Sequence, residues 1–200
     1  MSKQEFEQRL TTEALAVEER GEGEAKSPVL VGYAAVFNKM SNQLGGQYGF
    51  REMIEPGAFD GVLDNDVRAV LNHDANFVLG RSGAGTLRLS VDEVGLRYEV
   101  DMPNTQYARD LMESVRRGDI KESSFKFTVL KDEWSESDEG AVRSIKQFGR
   151  LLDVSPVTYP AYPDATVAQR SLEQWKQSNS YKQETEKRLQ LYRKDLESKL

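Results

Sequence analysis

Three polar residues interrupt runs that otherwise read as buried. His73 follows "RAVLN", Ser124 precedes "FKFTVL", and Asp153 lies within "LLDVSPV". A carboxylate among aliphatics is costly unless something pairs with it. A serine attacks only when a base takes its proton, and that base needs an acid to orient it. His73 is the one histidine of the chain, and there is no cysteine. The conventional triad open to these residue types is therefore Ser–His–Asp/Glu. A zinc site built on several histidines is excluded, as are disulfides, thiolate ligands and a cysteine nucleophile.

Plainer readings of the same residues stand beside this one. A histidine at a strand end and a serine at a strand start commonly serve the surface or a turn. Asp153 can instead pair with Arg143 or Arg150. Lys126 shares a strand face with Ser124, which admits a Ser–Lys dyad, although side chains at i and i+2 stand parallel and transfer protons poorly. Pattern alone leaves these alternatives open.

The elements around the three residues set how they can meet. In "KESSFKFTVL", Phe125, Phe127 and Val129 alternate with Ser124, Lys126 and Thr128, the period of a half-buried strand. "PVLVGYAAVFN", "VRAVLNHD", "TLRLSVDEVGLRYEVDM" (two strands joined across "DEVG"), "SSFKFTVLKDEW" and "VRSIKQFGRLLDVSPVT" read as strands, and "LTTEALAVEE" can hold a first one. "EPGAFDGVL" reads as a turn into a short helix. "TQYARDLMESVRRGD" reads as an amphipathic helix with Tyr107, Leu111 and Val115 on one face and Gly118 as its stop. The "SESDEGA" stretch reads as a charged link. The order predicts an α+β fold with a mainly antiparallel sheet or barrel, since regular βα alternation is absent. Three domains of sequence follow: a charged N-terminal segment (1–27), a folded centre (28–168) and a helical tail (169–200). On the tail, Leu189, Tyr192, Leu196 and Leu200 form a narrow apolar stripe.

Composition narrows the function. The chain has 200 residues and a net charge of −6, which argues against a nucleic-acid surface. No apolar run reaches the roughly 20 residues of a membrane span, and "MSKQEFEQRL" lacks the apolar centre of a signal peptide. A soluble, intracellular protein without membrane or nucleic-acid partners is expected. "SNQLGGQYGFRE" is Gly-rich but lacks the spacing of a phosphate cradle.

In order along residues 28–166, "GYAAVFN", "EMIEPGAFD", "LNHDANFVLGRSGAGTLRLSVDEVGLRYEVDMP", "RGDIKESSFKFTV" and "LLDVSPVTYPAYPDA" resemble the motifs of the prohead (capsid maturation) proteases of tailed bacteriophages. These resemble in turn the assembly proteases of herpesviruses. The resemblance implies a serine endopeptidase on a largely antiparallel β-barrel with surrounding helices. It maps the family's histidine onto His73 and its serine onto Ser124, which directly precedes the phenylalanine, rather than Ser123. Herpesvirus enzymes use a second histidine, which this chain lacks; the acidic residue of phage relatives maps onto Asp153. Asp74 is the competitor, but consecutive strand residues face opposite ways. The chain departs from the family at Lys126, where a small residue is common; a lysine there is expected to alter substrate preference or hold an anion. Backbone N–H groups, assisted by Arg150 or Arg81, are the candidate oxyanion donors. No cofactor or metal is implied. The implied partners are the major capsid protein or its scaffolding segment, a separate scaffold protein, and a second copy of the chain through the C-terminal helix. The implied location is the immature capsid in the host cytoplasm, with self-cleavage in the polar "KQSNSYKQET" stretch. The rival reading is a catalytically silent scaffold or assembly factor of the same fold.

Overall fold

A computed structural model describes residues 6–13, 15–23, 26–46, 49–159 and 167–180. The apolar stripe at 189–200 lies outside the described residues. The fold is α+β. Among the described residues, ten strands form two sheets: β1 (Glu7–Thr11), β2 (Ala16–Arg20), β3 (Ser27–Val36), β4 (Phe50–Ile54), β5 (Arg68–Leu71), β6 (Asp74–Arg81), β7 (Leu87–Val91), β8 (Gly95–Asp101), β9 (Glu122–Ser137) and β10 (Gly140–Val157). Helix α1 spans Gln106–Arg117, and residues 167–180 form a second helix, α2. One sheet runs β1-β9-β10-β5-β6 with β4 also on β10; the other runs β2-β3-β8-β7. Pairing is antiparallel except where β10 meets β4 and β5.

The apolar alternation read in the sequence becomes one core. Phe125 and Phe127 of β9 stack at 4.6 Å, Phe148 of β10 lies 4.8 Å from Phe127, and Phe59 lies 4.5 Å from Phe148. Tyr98 and Leu30 of the second sheet join the same cluster, with Leu111 and Val115 of α1. Gly118 closes α1 at φ 80°, and its N–H donates to the Ser114 and Val115 carbonyls.

Several expectations need correcting. Residues 56–64 are a run of turns, not a helix: Asp60 N–H donates to Gly57 O and Val62 N–H to Phe59 O. Gly57 and Gly61, at φ 88° and 81°, break any α-helical course. "VRAVLNHD" is not one strand, because the chain reverses at Asn72 and His73 into β6, whose "DANFVLGR" carried no clear alternation. The charged link shrinks to two residues, since β9 and β10 run on to Ser137 and Gly140. Residues 7–20 hold two strands in different sheets rather than one.

The N-terminal strand is held by buried charge. Arg9 Nε donates to Glu52 Oε1 (2.7 Å) and its Nη2 to Glu7 Oε2 (2.6 Å). Arg143 Nη1 reaches the same two carboxylates at 2.8 and 3.0 Å, and its Nε reaches Asp132 at 2.6 Å. These contacts tie β1, β4, β9 and β10 together. Helix α2 buries Ala168 and Leu172 against Leu44, Phe50 and Ala141, with Trp175 stacked on Trp134. The division drawn at residue 168 therefore falls within a helix that packs on the sheet.

Candidate active site

Each predicted residue comes from a different part of the larger sheet. Ser124 lies on β9, flanked by Leu10 of β1 and Ser155 of β10. The pleat sends Ser123 to the core, where its Oγ bonds the Tyr98 hydroxyl at 2.8 Å, and Ser124 to the opposite face. Asp153 and Ser155 are two apart on β10 and share that face. His73 sits in the β5–β6 turn, where Leu71 pairs with Asp74.

The turn is two residues long, with Asn72 at φ 54° and His73 at φ 57°. Positive φ at both central positions marks the type I′ hairpin, which matches strand twist and favours Asn-Gly. A side chain at such a φ costs about 1–2 kcal/mol. His73 occupies the place where glycine is preferred, and asparagine precedes it as the turn demands.

From that turn the imidazole bridges the two other residues. His73 Nδ1 lies 2.5 Å from Asp153 Oδ1, and Nε2 lies 2.7 Å from Ser124 Oγ. An ionised carboxylate only accepts, so the ring proton belongs on Nδ1. Nε2 is then the acceptor, and the Ser124 hydroxyl donates to it. Ser155 Oγ donates to Asp153 Oδ1 at 3.2 Å and lies equally far from His73 Nδ1. Ser124 and Ser155 are fully buried, while the His73 and Asp153 side chains keep 9% and 14% of their surface. A cavity of about 150 Å³ opens beside His73 and Asp153, lined by Asp66, Arg68 and Arg150 among others.

The alternatives find other partners. Asp74 Oδ1 accepts from the Asn76 backbone N–H and side-chain amide, both at 2.8 Å, so it is turned to its own loop. Arg143 serves Glu7, Glu52 and Asp132. Arg81 grips Asp66 through Nε and Nη2 at 2.7 and 2.6 Å. Lys126 Nζ lies 5.9 Å from the Phe6 ring centroid. Two residues at the site went unremarked in the sequence, Asn72 and Ser155. At Asn72 the asparagine suits a type I′ turn, but the glycine that would mark one is replaced by His73, so the turn is poorly signalled; the two-residue step from Asp153 is the signal for Ser155.

Residues 13–178 match the family of caudovirus prohead serine proteases. The chain belongs to that family. The prohead protease of Enterobacteria phage HK97 is 30% identical over 151 residues, which are 73% of this chain and 61% of that protein. This family member thus spans less than two thirds of that relative's length. The bacteriophage T4 capsid assembly protease, at 10% identity, aligns over 76% of this chain and 99% of its own with a TM-score of 0.43. His73, Ser124 and Asp153 all fall within the matched range. No helix among the described residues is long and apolar enough to cross a membrane.

Proposed function

We propose that this chain is a serine endopeptidase of phage prohead maturation. The observation that carries the reading is the single imidazole bonded at once to Ser124 Oγ and Asp153 Oδ1. In this reading Ser124 Oγ attacks a peptide carbonyl and His73 Nε2 takes its proton. The tetrahedral oxyanion forms, collapses, and expels the amine, which receives the proton from His73. Asp153 holds Nδ1–H and stabilises the imidazolium. Water then repeats the sequence to release the acyl group. Family membership supports serine-peptidase chemistry, and a fold of the herpesvirus assembly-protease kind is part of the proposal. The substrates proposed are the scaffolding segment of the major capsid protein or a separate scaffold, cut inside the immature capsid, together with the chain itself.

The test is co-expression with the cognate capsid protein, comparing wild type with Ser124→Ala. Loss of capsid-protein processing in the variant is expected. Full processing by Ser124→Ala would remove this reading. Processing retained by His73→Ala would favour the Ser–Lys mechanism through Lys126.

A further inference from the structure

His73 holds an unfavourable backbone conformation, and what holds it there is a neighbour outside the three residues discussed. The Asn72 side chain makes two bonds to one residue beyond β10. Its Oδ1 accepts from the Thr158 N–H at 2.8 Å, and its Nδ2 donates to Thr158 Oγ1 at 3.1 Å. Its own backbone N–H donates to the Pro156 carbonyl at 3.0 Å. Three hydrogen bonds thus clamp the tip of the β5–β6 hairpin to the end of the strand that bears Asp153 and Ser155.

The clamp falls where ladder pairing is thin. β5 meets β10 only at Asp153–Arg68 and Val154–Ala69, short of the turn. Between Leu71–Asp74 and Val70–Val78 the β5–β6 register shifts, so the base of the hairpin is irregular. The residues that would rigidify the turn from below are therefore few. We infer that Asn72 is a positioning residue, which fixes the height and tilt of the His73 ring over Asp153 by tying the turn to Thr158. Asn72 suits the role twice. Asparagine tolerates positive φ better than most residues, and its amide offers one donor and one acceptor to match the Thr158 hydroxyl and N–H. Its side chain is exposed, so its bonds add little to the core.

This inference rests on the peptidase reading, and its test separates the two. The chain has one histidine, so every imidazole NMR signal belongs to His73. Asn72→Gly keeps the turn's φ range but removes both side-chain bonds. In the full-length protein, the hydrogen-bonded Nδ1–H resonance of His73 should broaden or vanish in this variant, with the thermal midpoint near that of wild type. Labelling of Ser124 by a fluorophosphonate probe should slow roughly 10- to 100-fold, the scale of a small misplacement at a reacting centre. Thr158→Val removes only the hydroxyl and keeps the bond from its N–H, so it should fall between wild type and Asn72→Gly, and it carries the comparison should Asn72→Gly fail to fold. A wild-type Nδ1–H signal and labelling rate in both Asn72→Gly and Thr158→Val would overturn the inference. So would a loss of the His73 signal that in both variants comes only together with a general loss of structure. If the wild-type protein is not labelled at all, the peptidase reading fails, while the NMR comparison still decides the clamp.

Discussion

Ser123 and Ser124 are neighbours, equally buried and chemically alike, yet the pleat gives them different work. Ser123 satisfies the hydroxyl of Tyr98, whose pKa burial pushes up, so that it stays a neutral phenol. Ser124 faces the imidazole. Ser123→Ala should therefore keep most capsid-protein processing while costing about 1–3 kcal/mol of stability, because a buried hydroxyl loses its partner; urea titration reads the second effect. Ser124→Ala should do the reverse. Asp153→Asn should lower turnover on the order of 10⁴-fold, as in a comparable triad whose imidazole takes the wrong tautomer. Asp74→Asn should have little effect, since its bonds run to Asn76. Rates for the two asparagine variants, measured side by side on one substrate, decide which acid orients His73. Equal loss in both would refute the assignment of Asp153.

At the scale of elements, the larger sheet depends on a strand that the sequence makes look like a charged arm. β1 lies on β9 beside Ser124, with Leu10 as its direct partner. Two arginines and two glutamates, nearly sealed from water, hold it there. Removing one member leaves the others buried without compensation, which costs about 3–5 kcal/mol. Arg143→Met should lower the urea midpoint accordingly and release β1 first, seen as early amide exchange over residues 7–11. A variant that unfolds at the wild-type midpoint would show that the cluster is structurally idle. None of this was legible from residues 1–27, because glutamate and arginine at alternate positions also describe a solvated strand. Burial of the charges was decided by partners 43 and 136 positions away.

For the whole molecule, acid should be the weak side. Burial pushes Glu7 up, but bonds and charge from Arg143 and Arg9 outweigh it, and its pKa ends below the usual carboxylate value of 4.5. Arg20 above all, against burial, and then Arg97 and Arg88 hold Glu99 at about 2. A depressed folded pKa gives stability that is present above the unfolded pKa and lost as pH falls through the folded one. The thermal midpoint should therefore stay level from pH 7 to about 5 and decline toward pH 2. Glu99→Gln should flatten part of that decline. The second helix sets another expectation. Truncation after residue 166 removes Leu172 and Trp175 from their packing on Phe50 and Trp134, at a cost of at least about 2 kcal/mol. Truncation after residue 180 keeps that packing and should unfold at a higher urea midpoint than the shorter chain. It should also reduce delivery of the protein into proheads if residues 181–200 carry the docking stripe.

The sequence by itself determined the α+β class, the alternation that builds the shared core, and the short list of residues able to act as nucleophile and base. One histidine and no cysteine leave few choices, and period-two patterning survives in any strand pairing. The tertiary structure decided what Asp153 faces. On sequence, Arg143 was as good a partner as His73, and only the pairing of β10 with β9, β4 and β5 sends Arg143 to the buried cluster and Asp153 to the imidazole. It also decided that His73 lies in a turn rather than a strand. A two-residue reversal leaves no period to read, and its positive φ values are held by bonds to Thr158 and Pro156, more than 80 positions along the chain.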